Sequence, residues 1–256
     1  MTKLLSTWSI PGGQLTIGRD NRLVFDRSYG LASIEDGEAV VPTSRFRIAS
    51  TSKPITGVAI LQLIEAGQLT LDTPAFPLFT MESAPNAPRD PRIDSVTIEQ
   101  LLVHSGGWDS ATTKSDPQYL PATLLASYTL NAENPAEAST IVRFMQDQPL
   151  DFDPGTQSAY SNFGFNVLGR VIEHISGMGY EQYVDQYVLS PAGITSMAIG
   201  GTTLAERLAD EVKYYWRGLP RWPLFTWARD TFPPAMVRIT CDHSIHTVDG
   251  FQRRPI

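Results

Sequence analysis

Ser50 and Lys53 stand at i and i+3 in the stretch FRIASTSKPITGVAILQLIEAG (46–67). On a helix that spacing puts both side chains on one face, within touching distance. A serine hydroxyl is a poor nucleophile near neutral pH and needs a neighbouring base. A lysine can be that base if burial or positive potential lowers its pKa. A helix N-terminus supplies such potential, and its free N–H groups point toward an oxyanion forming on the serine. The pair therefore suits acyl transfer. By itself Ser-x-x-Lys is a common pattern, and a capping serine beside a solvated lysine is the plain alternative.

A second group lies more than a hundred residues downstream. Tyr160-Ser161-Asn162 follows the turn-forming Asp153-Pro154-Gly155-Thr156 and precedes a helical stretch. A phenol can relay a proton, and a carboxamide can bond both a lysine and a substrate amide. Taken alone, Tyr160 is as readily a packed aromatic and Asn162 a helix cap.

The elements that must position these groups are legible in outline. Residues 12–30 alternate Leu15, Ile17, Leu23 and Phe25 around Asp20-Asn21, which predicts a β-hairpin. A helix over about 51–66 stops at Gly67; Ile55, Val58, Ala59, Ile60, Leu61, Leu63 and Ile64 leave it almost no polar face, so it is expected to be buried. Thr97 and Gln100 form a capping box for a short helix over 97–104. Residues 139–146 read as helical. A further helix carries Leu168, Val171, Ile172 and Ile175 and ends at Gly177, and Tyr180–Val188 repeats the pattern until Ser190-Pro191. The Pro-, Asp-, Ser- and Thr-rich residues 75–95 and 105–137 read as loops and turns. The expected layout is two strands followed by helices and loops.

At 256 residues, with 42% hydrophobic and 18% charged residues, the composition is that of a globular domain. A formal charge of −7 argues against general affinity for nucleic acid. A single cysteine, Cys241, precludes an internal disulfide framework. The start MTKLLSTWSIPGG lacks the apolar run of a signal peptide, and no stretch is long and apolar enough to span a bilayer. No membrane association is therefore expected, and a cytoplasmic location is the default.

Together the two motifs, their order and their flanks resemble the serine β-lactamase-like superfamily, in its class C β-lactamase, D-Ala-D-Ala carboxypeptidase and family VIII esterase branch. Ser50-Thr51-Ser52-Lys53 matches the Ser-x-x-Lys motif, Tyr160-Ser161-Asn162 the Tyr-x-Asn motif, and LLVHSGGW (101–108) the loop between them. The match covers roughly residues 11–215. It implies an α+β, β-lactamase/transpeptidase-like fold: an antiparallel sheet packed on helices, plus a mostly helical lobe. One domain spans 1–256, with the hairpin and nucleophile helix in 1–74, the helical lobe in 75–200 and an atypical tail in 216–256. The resemblance further implies a serine hydrolase acting through an acyl-enzyme on a small ester, β-lactam or peptide-like carbonyl. Ser50 would be the nucleophile, Lys53 and Tyr160 would share the acid and base roles, and Asn162 would orient the substrate. The Ser50 N–H would be half of the oxyanion hole. His104 carries over as a structural residue, and no metal or organic cofactor is implied. A catalytically inactive binding or interaction protein of the same fold is the alternative.

The resemblance breaks near Tyr215. The family's third motif, Lys/His-Thr/Ser/Ala-Gly on a late strand, is not found: His246-Thr247 is followed by Val248. The tail instead holds three of the five tryptophans and six arginines against Asp230, Asp242 and Asp249, with no strand or helix period. A truncated or frame-shifted C-terminus is expected, with the completing strands missing and activity impaired. Two strands alone would leave apolar surface uncovered at about 25 cal/mol per Å². Cys241, His243 and His246 are metal-ligand residue types, but their spacing fits no common zinc pattern.

Overall fold

The computed structural model describes residues 1–20, 22–79, 89–113, 117, 122–134, 136–201, 204–215 and 239–241. After a short helix α1 (Thr2–Trp8), β1 (Gly12–Arg19) and β2 (Arg22–Ser33) form the expected antiparallel hairpin. Ile17 stands opposite Phe25, and a register shift follows at Ile17/Gly18. β3 (Glu38–Ala39) extends this sheet beside β2. At Gly30, φ is +72° and an added Cβ would lie 2.2 Å from the Pro11 carbonyl oxygen, so glycine is required where the two strands close.

β4 (Phe46–Arg47) leads directly into a 3₁₀ turn, Ala49–Ser52, and then α2 (Lys53–Glu65). α2 ends as its sequence predicts, with Gly67 in the left-handed region at φ +69°. α3 (Ile98–Leu102) begins with the full capping box between Thr97 and Gln100. α4 (Ser110–Thr113), α5 (Ala122–Leu130) and α6 (Ala138–Met145) follow. α7 (Asn162–Ser176) and α8 (Tyr180–Tyr183) come next, and α8 runs on through a π-helical turn, Val184–Leu189.

α7 is the pillar of the helical part. Phe163, Val167, Leu168, Val171 and Ile172 are fully buried in it, and α2, α3, α6 and α8 all pack on it. Phe163 meets the Trp108 indole edge-on at 4.8 Å between ring centres, and Phe76 closes the aromatic cluster. A smaller core of Ala32, Val40 and Val212 lies under β2 and β3.

Four expectations change. The segment 105–137 is not all loop, because α5 packs on α6 and buries Thr123, Ala126 and Ser127. The layout has more than two strands: β5 (Met197–Ile199) and β6 (Ile239–Cys241) join β4 in a second antiparallel sheet, ordered β4-β6-β5. β6 also means that the tail carries one strand, fixed by its partners rather than by its own period. Finally, α2 is not buried all round. Val58 is 44% and Leu61 54% exposed, since among the described residues nothing packs on that side. The hairpin's Leu15, Ile17, Leu23 and Phe25 are likewise more than a third exposed.

Candidate active site

The nucleophile's turn is set by Ala49, which takes a left-handed φ of +46° despite carrying a side chain. Such strain persists only where the surroundings impose it. Here Ser52 Oγ donates to the Ala49 carbonyl at 2.6 Å, and the Thr51 N–H closes on Ile48 O. Ser50 thus stands within the 3₁₀ turn that runs straight into α2, and Lys53, three residues on, is the first residue of that helix.

Tyr160 reaches Ser50 through a zipper of backbone bonds. The Asp151 N–H donates to Gly107 O, Gly155 N–H to Ser105 O, and Ala159 N–H to His104 O. Ser158 Oγ adds a bond to Val103 O. Residues 103–107 and 151–159 therefore run side by side. Gly107 has a φ of +112°, which a side chain would strain, and an added Cβ would press to 3.0 Å from the Phe152 carbonyl oxygen. Arg92 bridges Asp90 and Asp153, and Asp90 accepts the Leu150 N–H. These bonds anchor the far end of the zipper.

The four sequence candidates come together. Ser50 Oγ and Tyr160 Oη are 2.5 Å apart. Lys53 Nζ donates to Ser50 Oγ at 3.3 Å and to Asn162 Oδ1 at 2.7 Å. The same Nζ lies 4.7 Å from the centre of the Tyr160 ring and 5.5 Å from that of Phe165. The helix cap is Ser161, whose Oγ accepts the Gly164 N–H, and not Asn162. That division leaves the Asn162 carboxamide, buried at the first position of α7, to hold the lysine.

His104 does more than fill space. Its carbonyl takes the Ala159 N–H at 2.9 Å and its Nδ1 takes the Ser161 N–H at 3.2 Å, so it grips the backbone on both sides of Tyr160. Its ring also lies 4.7 Å from the Tyr160 ring and 5.2 Å from that of Phe165. Burial, and then the Lys53 charge, push its pKa below the ordinary 6.5, which favours the neutral form that can accept through Nδ1. The sequence signal for this role is the position of His104 in LLVHSGGW; in the structure the residue takes a left-handed φ of +61°.

Deeper in, Thr56 on α2 and Tyr180 on α8 share a 2.8 Å hydrogen bond, and burial pushes the Tyr180 phenol up to about 12. Three residues before the nucleophile, Arg47 forms a buried ion pair with Glu211 at 2.6 Å. Its guanidinium also donates to Gly201 O, and its N–H donates to the Tyr214 oxygen.

The described residues hold no cluster of three metal-ligating side chains. His243, His246 and Thr247 lie outside the described residues, so neither the Cys-x-His-x-x-His pattern nor the search for a third motif gains geometry.

A family model described as Beta-lactamase matches residues 2–235. A probable fimbrial assembly protein FimD, serogroup H1, of Dichelobacter nodosus is 33% identical over 178 residues, 69% of this chain and 40% of that protein. The chain thus spans well under half the length of that curated relative. Among solved structures, a penicillin binding protein from Bacillus halodurans superposes with a TM-score of 0.67 at 25% identity, covering 94% of this chain and 69% of the other. EstCE1, described as a hydrolase with promiscuous acyltransferase activity, superposes at 0.65 with 22% identity, covering 94% and 67%.

Proposed function

From the premise that this chain belongs to the beta-lactamase family and has its α+β, transpeptidase-like fold, we propose that it is a serine hydrolase working through an acyl-enzyme on ester or amide carbonyls. The observation that carries this reading is that Ser50 Oγ meets both Tyr160 Oη and Lys53 Nζ, with Lys53 held by Asn162. Ser50 Oγ bonds to the carbonyl carbon while its proton passes to the Tyr160–Lys53 pair. As the carbon's bond to the leaving oxygen or nitrogen breaks, the pair returns that proton to the leaving group. Water then attacks the acyl carbon, the pair takes its proton, and Ser50 recovers a hydroxyl as the acid departs. Lys53 Nζ, 3.3 Å from Ser50 Oγ, is also placed to offset negative charge that develops on that oxygen. The tight turn at Ala49 presents the Ser50 N–H as one oxyanion donor.

The sequence lacks the third motif, which in this family supplies a second oxyanion donor. Removing one such donor typically costs about 10²–10³ in rate, so slow turnover is the reading for these 256 residues. The test is labelling by a fluorescent fluorophosphonate and a fluorescent penicillin. Labelling that disappears in Ser50→Ala supports the enzyme; a folded chain that takes neither label supports a silent module instead. Nitrocefin beside short-chain esters then sorts the substrate class.

A further inference from the structure

Tyr160 stands at the end of a segment whose start is held by one arginine. The Arg92 guanidinium meets Asp90 as a fork: Nε donates to Oδ1 at 3.0 Å and Nη2 to Oδ2 at 2.6 Å. Nη2 also donates to Leu150 O at 3.1 Å, and Nη1 donates to Asp153 Oδ1 at 2.6 Å. Asp90 in turn caps the 3₁₀ turn Pro91–Ser95 by accepting the Arg92 N–H, and it accepts the Leu150 N–H at 3.0 Å. The pair thus takes the N–H and the carbonyl of Leu150, and Arg92 takes the Asp153 carboxylate as well. The Arg92 hydrogen bonds hold the Asp90 carboxyl well below the usual carboxylate range, so it is ionised at neutral pH.

Asp153 is where the chain turns toward the site. In Asp153-Pro154-Gly155-Thr156 the Thr156 N–H closes on Asp153 O at 3.1 Å, and Gly155 has a φ of +81°, as a type II turn requires. The Thr156 hydroxyl donates to the same carbonyl at 2.6 Å. Gln157, Ser158 and Ala159 then lead to Tyr160, with Ser158 and Ala159 bonded to the carbonyls of Val103 and His104. Arg92 therefore fixes the first residue of the turn, and His104 fixes the last stretch before the phenol. None of the Arg92 side-chain bonds goes to Ser50, Lys53, Tyr160 or Asn162. Yet the phenol oxygen must be placed closely, 2.5 Å from Ser50 Oγ. A misplacement of about 1 Å in such a group costs about 10²-fold in rate.

Resting on the acyl-enzyme reading above, we propose that Arg92 is a positioning residue for that reaction: by clamping residues 150–153 it sets where Tyr160 Oη stands against Ser50 Oγ. Asp90 is its fixed base and Asp153 the point at which it holds the turn. The effect of Arg92 on rate then depends on the Tyr160 oxygen. An ion pair that served folding alone would act in the same way whether or not that oxygen is present.

The experiment follows labelling of Ser50 in the full chain by a fluorescent fluorophosphonate over a range of concentrations, which separates the maximal labelling rate constant from KI. Thermal unfolding identifies the variants that fold. Arg92→Ala is expected to lower the rate constant about tenfold with KI nearly unchanged. Arg92→Lys, which keeps the charge and loses the fork, should recover part of that loss. Asp153→Asn changes a side chain that is 68% exposed, so it keeps the fold even if Arg92→Ala does not. It should slow labelling about threefold, as loss of an exposed ion pair does. The sharpest comparison adds Tyr160→Phe: in that background Arg92→Ala and Asp153→Asn should make no further difference, because the oxygen they help to place is gone. An equal loss in both backgrounds, a change confined to KI, or wild-type labelling by folded Arg92→Ala overturns the positioning role and leaves the enzyme standing. Absence of any Ser50 adduct in the wild type overturns both.

Discussion

The Ser161 N–H ends on Nδ1 of His104, 3.2 Å away, and this bond fixes the residue that follows the candidate acid–base Tyr160. Because the Ala159 N–H ends on the carbonyl of the same histidine, Tyr160 is held from both flanks. His104→Ala is expected to lower the acylation rate constant about tenfold to a hundredfold with little change in KM, as a misplaced catalytic group does. His104→Asn, which keeps an acceptor, should recover part of the loss. Single-turnover kinetics on an ester checks both; a change confined to KM would count against the positioning role.

A pH dependence follows from the same residue. His104 titrates below 6.5 in the folded chain, because it is buried and faces Lys53. The unfolded state therefore binds its proton first as pH falls. The contribution is fully present above pH about 6.5 and is lost as pH drops toward the folded value. Thermal unfolding between pH 7.5 and 5 should show wild type losing more Tm than His104→Gln. Parallel curves would refute it.

Tyr160→Phe removes the oxygen that lies 2.5 Å from Ser50 Oγ while leaving the ring packed against His104. Loss of a general acid–base group costs about 10²–10⁴ in rate. Fluorophosphonate labelling of Ser50 should slow by that order, with near-unchanged Tm. Equal labelling in the variant would remove Tyr160 from the mechanism.

Neighbouring positions on α2 should behave oppositely. Ile60 is fully buried and Leu61 is 54% exposed. Ile60→Ala is expected to cost about 2–5 kcal/mol, while Leu61→Lys stays within about 0.5 kcal/mol. Urea unfolding of the two variants distinguishes them. A large loss at Leu61 would mean that α2 is covered on that side after all.

Glu211→Ala would take the carboxylate from the Arg47 guanidinium, whose side chain is 9% exposed. Breaking a buried pair from one side costs about 3–5 kcal/mol. Unfolding should reveal that loss, and Ser50 labelling should weaken because Arg47 leads into the nucleophile's turn.

What the sequence made legible follows physical range. The hairpin, the helix ends at Gly67 and Gly177 and the Thr97–Gln100 box are written in residues a few positions apart, and they stand as expected. α5 was hidden because its threonines and serines suggest turns. In place, Thr123 and Ser127 are buried, and the Ser127 hydroxyl is satisfied by Glu133 O. β6 has no period of its own, since three residues become a strand only between β4 and β5. The exposed side of α2 was equally unreadable: Val58 and Leu61 are apolar whether or not something covers them. At the site, residue types and motif order pointed to Ser50, Lys53, Tyr160 and Asn162. The grip of His104 on both flanks of Tyr160 needed coordinates, because it depends on which backbone groups lie opposite one another.

Ser50 and Tyr160 are 110 positions apart, and the Arg47–Glu211 pair that steadies the nucleophile's strand spans 164. Contacts of such long sequence separation make for slow folding, because distant segments must meet before any energy is gained. During synthesis, a chain emerging N-terminus first holds Ser50 without its Tyr160 partner until 110 further residues have been added. The reactive centre thus cannot close before that point, and the apolar residues of α2 wait with it.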